Sequence, residues 1–574
     1  MKSTMSRLFS YIKPFVPAVL ASLALAGLIS ASELVRPYII EIVIDEYIMD
    51  PGSRHNIYAL GALYFGGAFF GAAFQYWQEY LLNLTGQKII HNIRMDAFRC
   101  LAYMPFSFFD RNSSGRLLTR VTSDIEALNE LYSGVIVSLV KDAIMLAGIV
   151  AVMLRLNFKL ALVSFCIVPI IVIVTLAYNK RAKKNFSYVR TLFGTINGFL
   201  AENISGMRLV QTFNRQKEKF AEFTPLNEEY NKASVFSVML NALFKPSSEL
   251  INALAISIII WYAAGGVLGG TLEIGVLYAF ITYIKKFFGP INDLADKYGS
   301  IQTGMVSAER IFELLAQEEQ TEDISAGLAL PKARGEIEFR GVWFAYNDED
   351  WVLRDVSFHV RPGETVAFVG HTGSGKTTIV SLLGRFYEVQ KGEILLDGVN
   401  IKKYRLPDLR KNIAIVMQDV FLFATDIKSN IRLNNNALSD RDVEAAAEFV
   451  NAADFIRGLP GGFEEKVTER GATLSTGQRQ LLNFARAVAF QPAIIILDEA
   501  TSSIDTENEA VIQQSLRKIS GSHTSLVIAH RLSTVEKADN IIVISRGEVQ
   551  ETGSHQELLR KNGAYRQLYD MQFT

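Results

Sequence analysis

The sequence predicts a multidomain protein in which an all-α domain of six transmembrane helices is followed by an α/β domain of the P-loop type. Three observations predict this fold class. Long apolar runs fill the first half, short strand-like and helix-like segments alternate in the second, and a Gly-rich phosphate-binding motif follows one of those strands. The chain has 574 residues, which is enough for two or three domains.

Composition supports the membrane portion and argues against some partners. Hydrophobic residues make up 49% of the chain and charged residues 20%, a balance that favours a membrane protein. The net charge of −1 gives no support for a basic nucleic-acid binder, so we expect no nucleic-acid partner. Cys100 and Cys166 match no disulfide framework or metal-site spacing, and we expect both to be buried small apolar residues.

Six apolar runs predict the transmembrane helices, because about 20 helical residues cross the hydrocarbon core of a bilayer. The third run is interrupted by Lys141 and Asp142, and the sixth is short and leads into Lys285 and Lys286. The predicted spans are 14–32, 58–77, 131–154, 160–178, 250–268 and 274–284.

The loops between these runs predict the orientation. Segments 86–120 and 179–190 are rich in Lys and Arg, whereas the other loops are short or acidic, as with Asp45 and Glu46 after the first run. Basic loops stay in the cytoplasm. We therefore expect a multi-pass protein of the cell inner (cytoplasmic) membrane, with both termini cytoplasmic and with the first helix retained in the mature chain.

The composition changes near residue 320, which predicts the domain boundaries. We expect a transmembrane domain over 1–315, a polar linker over 316–334 with Glu318, Glu319 and Pro331, and a nucleotide-binding domain over 335–574. In the last part strand-like and helix-like pieces alternate, which is typical of α/β domains.

Residues 370–377 form a complete phosphate-binding loop after the apolar strand predicted over 365–369. Lys376 would hold the β- and γ-phosphates as a catalytic residue, and Thr377 would ligate Mg²⁺. Backbone N–H groups and the following helix N-terminus would surround the phosphates. The predicted ATP-binding residues here are Gly370, His371, Thr372, Gly373, Ser374, Gly375, Lys376, Thr377 and Thr378.

A second buried strand, over 494–497, leads into two carboxylates. Asp498 would reach Mg²⁺, and Glu499 would orient and polarise the water that attacks the γ-phosphate. Four aliphatic residues followed by Asp-Glu are a weak signal alone, but downstream of a phosphate-binding loop they predict an ATP hydrolase.

Residues Leu474-Ser475-Thr476-Gly477-Gln478 resemble the signature of ATP-binding cassette (ABC) proteins. The resemblance implies that one ATP is held between the phosphate loop of one chain and Ser475, Gly477 and Gln478 of another. It further implies an adenine-stacking aromatic residue, a glutamine that senses Mg²⁺, an aspartate in the loop that crosses between the two ATPase domains and a histidine at the γ-phosphate. In this order those residues are Tyr346, Gln418, Asp505 and the catalytic His530.

Six spans ahead of one cassette resemble an ABC exporter half-transporter. Such proteins place short coupling helices in two cytoplasmic loops, and residues 105–110 and 202–213 resemble them. Thr476 and Thr468 stand where the family usually has glycine, while Glu499 and His530 are retained. This combination favours a heterodimer with a second half-transporter that supplies an intact signature, and a homodimer is the alternative.

The resemblance implies ATP-driven efflux of hydrophobic or amphipathic compounds, drugs or lipids, by alternating access, with ATP and Mg²⁺ as cofactors and membrane lipids as surroundings. The alternatives are an ATP-gated channel or a regulatory membrane ATPase; an importer or a soluble repair or translation ATPase fits the layout less well. Charges near the membrane either line a substrate cavity or pair locally, Glu33 with Arg36 and Lys141 and Asp142 with neighbours.

Overall fold

The computed structural model describes residues 2–49, 57–316, 327–347, 350–468, 471–498, 506–529 and 535–572. The chain forms two compact units. We call Met1–Tyr103 with Asn112–Gln317 the membrane unit, and Met104–Arg111 with Glu318–Thr574 the α/β unit.

The described part of the membrane unit contains six helices that are long and apolar enough to cross a bilayer, as predicted. We call them the first to sixth spans, and they are Thr4–Ile48, Ile57–Ala102, Ser114–Leu156, Phe158–Ser205, Gln216–Leu268 and Ile274–Ala316. The second span has 46 residues, or about 69 Å of helix, more than twice the roughly 30 Å hydrocarbon core. The apolar runs therefore marked only the lipid-facing part of each helix, and the polar ends continue it.

One detail of the first span was predicted wrongly, and one of the alternatives for its charges does not hold. Asp45 and Glu46 lie within the helix, where the backbone widens into π-helical turns over Val43–Ile48, and not in a loop. Glu33 pairs with Lys286 of the sixth span, at 3.4 Å, and not with Arg36. Asp142 does pair with a neighbour in space, although not in sequence, because its partner is Lys297 of the sixth span at 3.1 Å. Both pairs join different spans and so stabilise the helix bundle.

The cysteines also differ from the prediction. Cys166 is exposed and Cys100 is half-buried. Cys100 lies in the polar end of the second span, where its Sγ donates a hydrogen bond to the carbonyl oxygen of Leu314 at 3.5 Å. For Cys166 the reason is the lipid, because a helix that faces lipid can leave a small apolar side chain on its surface at little cost. The aromatic side chains of the second span behave likewise, with Phe65 72% exposed and Phe69 62% exposed.

Two short helices interrupt the long ones. The first short helix is Phe106–Arg111 and belongs to the α/β unit, although it lies in sequence between the second and third spans. The second short helix is Met207–Thr212, between the fourth and fifth spans, and belongs to the membrane unit.

The α/β unit contains two sheets. The antiparallel sheet has the order β2-β1-β4-β5 and the mainly parallel sheet the order β10-β9-β3-β8-β7-β6. The strands are β1 Ile337–Ala345, β2 Trp351–Val360, β3 Thr365–Val369, β4 Lys391–Leu396, β5 Val399–Asn400, β6 Ile413–Val416, β7 Ile494–Asp498, β8 Thr524–Ile528, β9 Asn540–Ser545 and β10 Glu548–Gly553.

Helices pack against the parallel sheet, and successive side chains of β3 point to opposite faces of it. Val366 and Phe368 point into the core shared with the antiparallel sheet, whereas Ala367 and Val369 point into the core under the helices. The helices are α1 Lys376–Leu383, α2 Leu406–Lys411, α3 Ile427–Arg432, α4 Asp440–Phe449, α5 Ala453–Arg457, α6 Thr476–Ala489, α7 Thr506–Ser520, α8 His555–Lys561 and α9 Ala564–Gln572.

Candidate functional site

One edge of the parallel sheet collects most of the predicted ATP-binding residues. Strand β3 runs parallel to β8, β8 to β7, and β7 to β6, so their carboxyl ends lie at the same edge. The phosphate loop follows β3, Gln418 lies two residues after β6, and Asp498 ends β7. Glu499, Asp505 and His530 lie outside the described residues, although Glu499 directly follows β7 in the sequence and His530 is the second residue after β8.

The phosphate loop is shaped by its last glycine. Gly375 has φ +106° and caps the N-terminus of α1. A Cβ at this position would lie 2.6 Å from Cδ2 of Leu353, so the loop both requires the left-handed backbone and leaves no room for a side chain. The first turn of α1 is thereby held against β2 with its N–H groups directed into the loop.

Lys376 lies inside this loop and is 6% exposed. Its Nζ donates hydrogen bonds to the carbonyl oxygens of Gly370 at 2.8 Å and His371 at 2.9 Å. Burial lowers the pKa of the Lys376 ammonium, and the negative charge of Asp498 opposes this shift. The loop therefore concentrates one positive charge and a helix N-terminus where an anion would bind.

Two hydroxyl groups of the loop are placed to bind a nucleotide and its cation. The Oγ of Ser374 is buried and has no hydrogen-bond partner within the described part of the chain, a cost that a phosphate oxygen would remove. Thr377 is exposed at the start of α1, as is Gln418 at the same edge. Hydroxyl, amide and the Asp498 carboxylate all offer the oxygen ligands that Mg²⁺ prefers, so the residues fit a Mg²⁺–nucleotide complex.

Tyr346 lies beside the phosphate loop. Its hydroxyl is 3.2 Å from Oγ1 of Thr378, on the first turn of α1. The edges of Phe344 and Tyr387 hold the ring, at centroid distances of 4.9 Å and 5.0 Å, and the residue stays 41% exposed. A rigid, partly exposed aromatic ring at this position can stack on a nucleotide base.

The signature residues lie at the N-terminus of α6. The hydroxyl of Ser475 accepts a hydrogen bond from the N–H of Gln478 at 3.2 Å, and the side-chain oxygen of Gln478 accepts one from the N–H of Ser475 at 2.9 Å. This capping box orders the turn. Ser475 and Thr476 are exposed and Gly477 is buried, and the hydroxyl of Thr476 accepts a hydrogen bond from Arg479 at 3.2 Å. The second anion-binding helix end is therefore ordered but open.

The first short helix packs inside the α/β unit. Phe106 packs against Phe386 with the ring centroids 4.4 Å apart and the rings tilted by 32°, and the hydroxyl of Tyr387 donates a hydrogen bond to Asp110. Tyr387 also holds the ring of Tyr346. Sequence reasoning missed Phe386 and Tyr387, because an aromatic pair after a helix carries no motif.

The comparisons with known proteins agree with this geometry. Residues 19–291 match the family described as ABC transporter transmembrane region, and residues 353–502 match the family described as ABC transporter. The chain is 42% identical, over 89% of its length and 76% of the relative, to a Bacillus subtilis protein named "Probable multidrug resistance ABC transporter ATP-binding/permease protein YheH". It is 35% identical, over 100% of its length and 97% of the relative, to the ATP-dependent lipid A-core flippase of Haemophilus influenzae.

A solved structure supports the fold over nearly the whole chain. A bacterial Atm1-family ABC exporter with ATP bound matches with a TM-score of 0.80 and 26% identity, and the match covers 98% of this chain and 99% of the other. Both units are thus found together, in the same order, in a protein that binds ATP.

Proposed function

This chain belongs to the ABC transporter family and is an integral membrane protein with an ATP-hydrolysing domain, and from this premise we propose that it exports hydrophobic or amphipathic compounds, drugs or lipids, from the cytoplasm. The observation that carries the proposal is the first short helix. It lies between two membrane spans in the sequence and yet packs inside the α/β unit. A movement of that unit on ATP binding or hydrolysis is therefore transmitted directly to the second and third spans.

The residues at the sheet edge take the following roles in this proposal. Lys376 and the N–H groups of the loop bind the β- and γ-phosphates, and Tyr346 stacks on the adenine. Thr377, Gln418 and Asp498 hold Mg²⁺, which when bound offsets the negative charge of the phosphates. Glu499 orients the attacking water and His530 contacts the γ-phosphate. These roles follow from the resemblance of the motifs, and for Lys376, Thr377, Gln418, Asp498 and Tyr346 the positions described above support them.

A second chain completes the site in this proposal. The signature turn at Ser475 is exposed, and α6 presents its N-terminal N–H groups to whatever covers it. The second short helix is also open, with Leu209 64% exposed and Phe213 next to it 65% exposed. Exposed apolar residues of this kind outside the bilayer indicate a protein contact.

We propose that the second chain is an unequal half-transporter. Thr476 places a β-branched side chain where the signature turn would approach a γ-phosphate. A partner with glycine there would serve the site that contains Glu499 of this chain. The site that receives Thr476 would then be the weaker one. The complex would lie in the cytoplasmic membrane with both termini of this chain inside, and it would alternate between inward-open and outward-open states.

Transport in proteoliposomes tests the proposed function. The complex purified from its host membrane is reconstituted, ATP is added on the side of the α/β unit, and the uptake of a fluorescent amphipathic dye or a short-chain fluorescent phospholipid is followed. We expect ATP-dependent accumulation above the outside concentration, lost in Glu499→Gln, which should still bind ATP.

The alternatives give different results in the same assay. A channel or a regulatory ATPase would let the solute equilibrate, or leave it unmoved, but would not concentrate it. Undiminished ATP hydrolysis in Glu499→Gln at its own site would contradict the role of Glu499.

A further inference from the structure

Three carboxylates meet at one end of the membrane unit. Glu41 and Asp45 lie one turn apart on the first span, and Glu273 directly precedes the sixth span. One oxygen from each of them lies within 4.8 Å of the others. The sixth span has 43 residues, so about 65 Å of helix separates this cluster from the linker that leads to the α/β unit.

Glu41 is the unusual member of the cluster. It is 8% exposed, and its Oε2 is buried without a hydrogen-bond partner among the described residues. Asp45, Glu273 and Glu46 lie close enough to act on its charge, and all three are acidic. A buried carboxylate surrounded by like charges is costly unless a cation neutralises it.

Asp45 is fixed so that it can serve as a ligand. Its Oδ1 accepts a hydrogen bond from the N–H of Gly275 at 2.6 Å and its Oδ2 one from the N–H of Val276 at 3.1 Å. A Cβ on Gly275 would lie 2.4 Å from Oδ2 of Asp45 and 2.5 Å from the carbonyl oxygen of Glu41. Glycine is therefore required for this close approach of the first and sixth spans. Each Asp45 oxygen keeps a further lone pair for a cation.

We propose that Glu41, Asp45 and Glu273 bind a divalent cation of the Ca²⁺ class. Carboxylate oxygens suit Ca²⁺, Mg²⁺ and Mn²⁺. Oxygens on opposite sides of Ca²⁺ are about 4.6–5.2 Å apart, because each bond is about 2.3–2.6 Å, and this matches the size of the cluster. The cation would tie the end of the first span to the start of the sixth. In the proposed export topology this end of the membrane unit faces the outside of the cell, so the cation would come from there. The binding of the cation does not depend on that topology.

Calcium titration of the nucleotide-free complex in detergent tests the site. Isothermal titration calorimetry with CaCl₂ is done without Mg²⁺, after a chelator has removed bound cations. It should show saturable binding of one Ca²⁺ per copy of this chain. Glu41→Gln keeps the shape of the side chain and removes its charge, so it should weaken Ca²⁺ binding about tenfold or more. Ca²⁺ should also raise the Tm of the unaltered complex and leave that of Glu41→Gln unchanged.

Glu46→Gln is the matched control, because it removes the same charge from the same turns of helix outside the three-residue cluster. Its charge acts on Glu41 only from outside the cluster, so the variant should weaken Ca²⁺ binding less than about threefold, well short of the loss in Glu41→Gln. The proposal is overturned if neither Ca²⁺, Mg²⁺ nor Mn²⁺ binds saturably up to about 10 mM, which would mean that Glu41 is neutralised by a proton. It is also overturned if Glu41→Gln binds Ca²⁺ as the unaltered complex does. Both readouts are independent of transport, so they leave the proposed function untouched.

Discussion

The α/β unit contains two helix N-termini that can bind the phosphates of ATP, and they differ in how much of a site surrounds them. At α1 the buried Lys376, the charge of Asp498 and the ring of Tyr346 lie together. At α6 the cap is formed by the helix itself, and Ser475 and Thr476 face outward. The described residues thus bring together several parts of one half of the proposed nucleotide site, and we propose that the exposed half serves another chain.

The two short helices repeat this difference. The first is packed on Phe386 and Tyr387 within the α/β unit, whereas Leu209 and Phe213, in and next to the second, are 64% and 65% exposed. In each pair one member packs against residues described within its own unit, whereas the other is largely exposed. Both differences support the proposal that a second chain completes the transporter.

The largest effect is expected from Lys376→Ala, which removes the positive charge from the complete half. ATP hydrolysis by the purified complex should fall at least about 100-fold, because a preorganised charged donor at the transferring phosphate is lost. Binding of a fluorescent ATP analogue should weaken as well. Lys411→Ala, an exposed lysine at the end of α2, is the control and should keep normal hydrolysis. Equal activity of the two variants would contradict the assigned role of Lys376.

The open half should respond differently. Ser475→Ala should reduce hydrolysis about tenfold and leave the ATP affinity of the Lys376 loop in the same chain within about twofold, because its hydroxyl acts on the nucleotide of the other chain. The substitution also removes an N-cap, which costs about 1 kcal/mol of stability. Ser439→Ala removes the same kind of capping box from α4 and controls for that loss. If Ser439→Ala lowers hydrolysis as much, the effect of Ser475→Ala is on stability alone.

Much of the difference between the two halves of the nucleotide site could be predicted from the sequence, because such motifs depend on residues that are close together in the chain. The strand over 365–369, the loop at Lys376 and the helix start at Ser475 are set by neighbours in the chain, and the structure has them at these positions. The pairing of Glu33 with Lys286 and the packing of Phe106 on Phe386 join residues more than 200 positions apart, and no local pattern specifies them. The three-carboxylate cluster was missed for the same reason, since Glu273 comes from a distant segment.

Tyr387→Phe should have a moderate effect, and it separates the contact of Tyr387 with the first short helix from its contact with Tyr346. It removes the hydrogen bond to Asp110 and keeps the ring that holds Tyr346. ATP affinity should therefore be unchanged, while the stimulation of hydrolysis by a transported dye should fall about threefold, since a single hydrogen bond contributes about 0.5–1.5 kcal/mol. Tyr387→Ala, which removes the ring as well, should weaken ATP binding too. A loss of ATP affinity in Tyr387→Phe would show that the hydroxyl supports the nucleotide site and not the coupling.

The smallest effect is expected from Thr476→Gly. In the proposed heterodimer this signature covers the weaker site, so total hydrolysis should change less than about twofold. The variant should also lose a few tenths to 1 kcal/mol of stability, because glycine replaces threonine in the first turn of α6. The measurement is the ATPase rate of the purified complex at saturating ATP. A severalfold increase would instead indicate a homodimer in which Thr476 limits both sites.

The most direct test of the central claim, that one chain builds only half of each ATP site, is the native mass of the active ATPase. The tagged chain is purified in detergent from its own host membrane, its mass is measured, and its subunits are identified. We expect a mass of two chains, the second being an unequal half-transporter with glycine at the signature position that corresponds to Thr476. Two identical chains would contradict the proposed heterodimer. An active species with the mass of a single chain would show that one chain builds a whole ATP site, contrary to the proposal.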